Sequence, residues 1–157
     1  MDAVVAKSTA QSQALWALRE NISEAQRFEG ASIKHDISVP ISSVPEFVTR
    51  ASALLEAGFR GIRIFAFGHM GDGNLHFNVS RPLAQSDADF FAQAHRTNEI
   101  VHDLVHGMNG SISAEHGLGQ LKRDEITRYK STLELDLMRS IKKTWDPLGI
   151  MNPGKVI

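Results

Sequence analysis

A chain of 157 residues, 42% of them apolar, is the size of one domain with a core of its own, and this composition argues against a disordered segment. Its 17 Lys and Arg nearly balance 18 Asp and Glu, and the basic residues form no run that would track a phosphate backbone, which argues against nucleic acid as a partner. Cysteine is absent, so disulfides, thiolate metal ligands and a cysteine nucleophile are excluded, and any metal must take His, carboxylate or amide ligands.

Met1 to Gln13 lacks the basic start and long apolar stretch of a secretion signal, and no apolar run approaches the length that crosses a bilayer. The expected location is the cytoplasm. From Gln11 to about Phe28, Leu15, Leu18, Ile22 and Ala25 recur at helical spacing, which predicts a helix with one buried stripe ended by Gly30. Arg19 and Ser23 lie one turn apart at the edge of that stripe, where they can reach a common ligand. Residues 32–39 read as a strand, with Ile33, His35, Ile37 and Val39 alternating with Lys34, Asp36 and Ser38 before Pro40. Ser43-Val44-Pro45-Glu46 has the pattern of a capping box, and Phe47, Val48, Ala51, Leu54 and Leu55 continue it as a helix to Gly58.

Residues 60–67 and 74–79 predict two strands joined by the glycine-rich stretch Gly68-His69-Met70-Gly71-Asp72-Gly73. In the second strand Leu75, Phe77 and Val79 alternate with Asn74, His76 and Asn78, so His76 and Asn78 share a polar face. The three glycines let the loop adopt positive φ values and return His69 beside His76, and two imidazoles on one hairpin make a candidate metal site.

Asp87 to His106 predicts one long helix ending near Gly107, with His102 and His106 as a surface pair near its C-terminus and His95 also at the surface. Residues 111–114 predict a short strand, followed by the tight polar turn Glu115-His116-Gly117-Leu118-Gly119. A last helix, roughly 133–145, carries Leu133, Leu137, Ile141 and Trp145 at four-residue intervals and stops at Asp146-Pro147. This order predicts an α+β domain, a mostly antiparallel sheet with helices packed on one face in a ferredoxin-like manner, plus a C-terminal helical segment. A βαββαβ unit would place a strand before the first helix, so the chain is expected to be a piece of something longer.

Three separated motifs, the stretch from Gly68 to His76, Ser113-Ala114-Glu115-His116-Gly117-Leu118-Gly119, and the tail from Asp146 to Lys155, resemble the C-terminal region of the FAD-linked oxidases. These are flavoproteins of the vanillyl-alcohol oxidase type that include D-lactate, glycolate and D-2-hydroxyglutarate dehydrogenases. The resemblance implies a divalent metal, commonly zinc, on His69, His76 and Glu115, with His116 as the general base that takes the hydroxyl proton of a 2-hydroxy acid. By similarity to the 2-hydroxyglutarate branch, Arg19, Ser23, Lys34 and Asn78 would bind substrate. FAD would be held mainly by an N-terminal domain that is not part of this sequence, so the chain alone is expected to be inactive. Peripheral membrane contact through the parent enzyme, and self-association through apolar surface left by a missing domain, are further expectations. Two other readings remain at this point. One is a zinc-dependent hydrolase, and the other is a binding module without chemistry.

Overall fold

The structure, a computed structural model, describes residues 3–69 and 71–157, so Met70 of the glycine-rich stretch lies outside the described residues. The alternating segments form three strands, β1 (Ser32–Ser38), β2 (Arg63–Gly68) and β3 (Asn74–Ser80), in one antiparallel sheet of order β1-β3-β2. Directly paired residues point to the same face of a sheet. The register sets Lys34 opposite Asn78, Asp36 opposite His76 and Phe67 opposite His76, which makes one face polar. Ile33, Ile37, Leu75, Phe77 and Val79 line the other face and are buried.

Two helices, α3 (Val44–Gly58) and α5 (Ala94–Gly107), cover that apolar face. Phe47, Ala51 and Leu55 from α3 join Val101, Leu104 and Val105 from α5 in a single core cluster with the strands. Phe47 meets Phe77 edge to face at 5.4 Å. Each fully buried side chain of this size contributes about 2–3 kcal/mol of transfer free energy, so the helix-covered face fixes which way the polar face must look.

The predicted capping box at Ser43 does not form. A turn of 3-10 helix, Ile41–Ser43, precedes α3 and gives Ser43 a helical backbone, so its side chain makes no cap and Glu46 pairs with Arg50 at 2.8 Å instead. The first predicted helix is interrupted at Asn21, giving α1 (Thr9–Glu20), α2 (Ile22–Ala25) and a 3-10 turn, Gln26–Glu29. Its expected buried stripe is absent, since α1 buries no residue and Leu15 and Leu18 are exposed. The long helix of residues 87–106 is two helices, α4 (Asp87–Phe91) and α5, separated by a turn in which the Gln93 N–H donates to the Phe90 carbonyl at 3.0 Å.

His95 and His106 are exposed as predicted, but His102 is not a surface residue. It is 1% exposed, and its Nδ1 lies 2.6 Å from Glu125 Oε1, because the segment after residue 115 folds back over α5. The strand predicted at 111–114 reduces to one bridge, with Ser38 and Ser111 exchanging backbone hydrogen bonds of 3.0 and 2.8 Å before the chain turns away. The final helix α6 (Thr132–Trp145) begins with a complete capping box between Ser131 and Glu134. It buries Leu135, while Leu133, Leu137, Ile141 and Trp145 are 55% to 80% exposed.

Candidate functional site

The hairpin between β2 and β3 depends on two of its three glycines. Gly73 has φ of 74°, in the left-handed region, and a Cβ there would lie 2.0 Å from the Val39 carbonyl oxygen. At Gly68 a Cβ would lie 2.1 Å from the Asn74 carbonyl oxygen, the group that accepts the His69 N–H at 2.9 Å to close the loop. Gly71 faces open space.

The turn after Ser111 delivers Glu115 close to both His69, in the hairpin loop, and His76, on β3. His69 Nδ1 is 3.4 Å from Glu115 Oε1, and His76 Nε2 is 3.9 Å from Glu115 Oε2. Two imidazoles and one carboxylate are the donor set of a site that keeps a position open for substrate. The two contacts reach different oxygens of Glu115, and among the described residues these three side chains do not bring one donor atom each within 4.8 Å of one another, so an ion held by them would require the side chains to draw together.

Asp36 was not among the sequence-predicted site residues, yet it holds this region together. It is 4% exposed, and its Oδ2 accepts backbone N–H groups from Ala114 at 3.1 Å, Glu115 at 2.8 Å and His116 at 2.8 Å. Burial alone would raise its carboxyl pKa, but the N–H groups of His116 and Glu115, the nearby His116 ring and the Ala114 N–H outweigh it and hold the pKa below the usual carboxylate value. The signal that could have found it is its spacing two residues from Lys34, which puts both on the polar face of β1.

His116 stacks on His76, with ring centroids 5.8 Å apart, and its Nδ1 lies 3.8 Å from Asp36 Oδ2. The side chain is largely exposed. Among the described residues the grouping that places one ligand-capable atom each within 4.8 Å of one another is Asp36, His76 and His116, which shares only His76 with the predicted ligand set.

A cavity of about 530 Å³ opens over this polar face. Ser23, Lys34 and Asn78 line it together with His76, Glu115 and His116, so three of the four predicted substrate residues share one space with three of the four predicted metal and base residues. The Asn78 amide is not free in this arrangement, because it donates to Gln26 Oε1 at 2.7 Å. Arg19 is not in the cavity lining. Its guanidinium sits 5.6 Å over the Phe67 ring, in a neighbouring hollow shared with Trp16, Glu20, Gly68 and His69. Phe67 and Glu115 line the cavity, while Arg19 shares the hollow with His69.

Lys122 is a further cation in the cavity lining that sequence reasoning missed, and nothing in its local pattern marks it. It donates from Nζ to the Ile112 carbonyl at 2.6 Å. Burial lowers its pKa from the ordinary lysine value, and the charges of Asp36 and Glu125 oppose that shift.

A model of the family described as FAD linked oxidases, C-terminal domain, matches residues 1–156. D-2-hydroxyglutarate dehydrogenase of Stutzerimonas stutzeri is 42% identical over 156 residues, which are 99% of this chain and 33% of that protein. The protein of the same name from Xanthomonas citri is also 42% identical, again over 33% of its length. The mitochondrial D-2-hydroxyglutarate dehydrogenase of Danio rerio is 39% identical over 156 residues, 28% of its length. The chain thus spans a third or less of these relatives.

Proposed function

The chain belongs to the family of FAD-linked oxidase C-terminal domains, and from that membership and the site geometry we propose that it is the substrate- and metal-binding part of a flavin-dependent D-2-hydroxy acid dehydrogenase. The observation that carries the reading is the approach of Glu115 to both His69 and His76, beside a cavity lined by Lys34, Ser23, Asn78 and His116. The names of the relatives favour this over a hydrolase or a module without chemistry, and favour D-2-hydroxyglutarate or a similar diacid as substrate.

In the complete enzyme FAD would supply the hydride acceptor, and a divalent ion, if held by His69, His76 and Glu115, would supply a Lewis acid for the substrate hydroxyl. The residues of this chain hold the substrate and move its proton. Lys34 supplies a compact positive charge for one carboxylate, and Ser23, also in the cavity lining, supplies a hydroxyl. Asn78 presents its amide there after exchanging Gln26 for substrate. Arg19, held over the Phe67 ring, would have to move toward the cavity to offer its planar fork to a second carboxylate. His116 takes the hydroxyl proton, its exposure leaving the ring free to approach and then release that proton to solvent.

The remainder of such an enzyme would need an apolar face to dock on, and the stripe of Leu133, Leu137, Ile141 and Trp145 on α6 suits that role. Added FAD with the isolated 157-residue chain should therefore give no oxidation of D-2-hydroxy acids. The direct test is metal uptake: the chain should bind one equivalent of zinc in a competition titration, and Glu115→Gln or His69→Ala should weaken binding at least tenfold. A folded chain that takes up no zinc would refute the metal assignment, and turnover by the isolated chain with FAD would refute the division of labour.

A further inference from the structure

We propose that Asp36 is the positioning residue of this site: one of its oxygens fixes the tautomer of His76, and the other anchors the backbone that carries Glu115 and His116. The inference rests on the reading of His69, His76 and Glu115 as metal ligands, and it assigns a role to a residue outside that set.

The two oxygens of Asp36 have different environments. Oδ2 is saturated by three backbone N–H groups from residues 114–116, so the carboxylate on β1 fixes the position of a turn that is about eighty residues away in sequence. Oδ1 is buried and has no hydrogen-bond partner, and the nearest ring nitrogen is His76 Nδ1 at 3.8 Å. His76 therefore stands between two carboxylates and presents a different nitrogen to each, Nδ1 to Asp36 and Nε2 to Glu115.

A neutral imidazole has one N–H and one lone pair, and an ionised carboxylate only accepts. A buried acceptor left without a donor costs about 1–3 kcal/mol, so the His76 proton is drawn to Nδ1, where a small rotation of the ring closes the gap to Oδ1. The lone pair is then on Nε2, aimed at the space shared with Glu115. A carboxylate behind the non-ligating nitrogen of a metal-bound histidine both sets the tautomer and makes the ring a better donor. The alternative, an ion held by Asp36, His76 and His116, would have to displace that proton and use an oxygen that is buried or already occupied by three donors.

Histidine tautomers are read by long-range proton–nitrogen correlation spectra of the metal-free chain labelled at histidine, with the His76 signals assigned by their loss in His76→Gln. At mildly alkaline pH the wild-type ring should be protonated at Nδ1. In Asp36→Asn the amide oxygen must keep the three N–H groups, which places the NH2 against His76 Nδ1 and moves the ring proton to Nε2. Zinc affinity should then fall between about tenfold and a hundredfold, while the remaining backbone signals keep their positions. Wild-type His76 protonated at Nε2, or Asp36→Asn with unchanged tautomer and zinc affinity, would overturn the proposal. Because the tautomer is measured without metal and in the wild type, its outcome is separate from whether the chain takes up zinc and does not depend on the variant folding.

Discussion

His35 makes the stability of this domain depend on pH in a range where few other side chains titrate. It sits on the helix-covered face of β1 at 1% exposure, with Nδ1 2.8 Å from the Phe77 carbonyl and Nε2 3.0 Å from the Asn98 side-chain amide. Burial, reinforced by the neighbouring His102, lowers its pKa from 6.5 to about 4. The unfolded chain therefore binds the proton more tightly than the folded one. The stabilisation is complete above the unfolded value and is lost as pH falls from there through the folded value. At about 1.4 kcal/mol per pKa unit, the difference is worth about 3 kcal/mol, a large share of the roughly 5–15 kcal/mol that holds a domain together.

Urea unfolding measured at intervals from about pH 7 to pH 4.5 should show a fall approaching 1.4 kcal/mol per unit in the middle of that range. His35→Gln, which keeps polar atoms in the site but cannot be charged, should lose this part of the slope. Asp36 and Glu125 have lowered carboxyl pKa values, so their own losses begin lower, where unfolded carboxyl groups start to protonate. Equal slopes in the two proteins, or a wild type that gains stability on acidification from pH 7 to about pH 5, would refute the argument.

Two stability contrasts test the packing that positions the site. Gly73→Ala should destabilise by more than about 1 kcal/mol in thermal unfolding, because it meets both a positive φ and the Val39 carbonyl, whereas Gly71→Ala, facing open space, should be milder. On α6, Leu135→Ala should cost about 2–5 kcal/mol and Leu137→Ala well under that, since the first side chain is 8% exposed and the second 55%. Equal effects within either pair would contradict the burial described for it.

Much of the sheet was legible because a half-buried strand records its two faces directly in alternating residues. The pattern of Ile33, Ile37, Leu75, Phe77 and Val79 gave the apolar face, and so put Lys34, His76 and Asn78 together on the other. Asp36 belongs to that same alternation, but its function is set by N–H groups of residues 114–116, which no local spacing can reveal. His102 was misread for a related reason. Helical spacing placed it near a C-terminus, and only the return of Glu125 over α5 makes it a buried, paired ring.

The helices α1 and α6 mark a different limit of sequence reading. Four-residue spacing of Leu133, Leu137, Ile141 and Trp145 says that one face of α6 is apolar, and the face exists as read. Periodicity states nothing about what covers such a face, and here the described residues leave it open, as they leave Leu15 and Leu18 on α1. The buried residue of α6, Leu135, lies off that stripe, so this helix meets its own domain with one side and presents a second apolar side outward. A helix with two apolar sides is suited to lie between two bodies, which is the arrangement expected if the metal-binding half of a site is to be held against a redox half supplied from elsewhere.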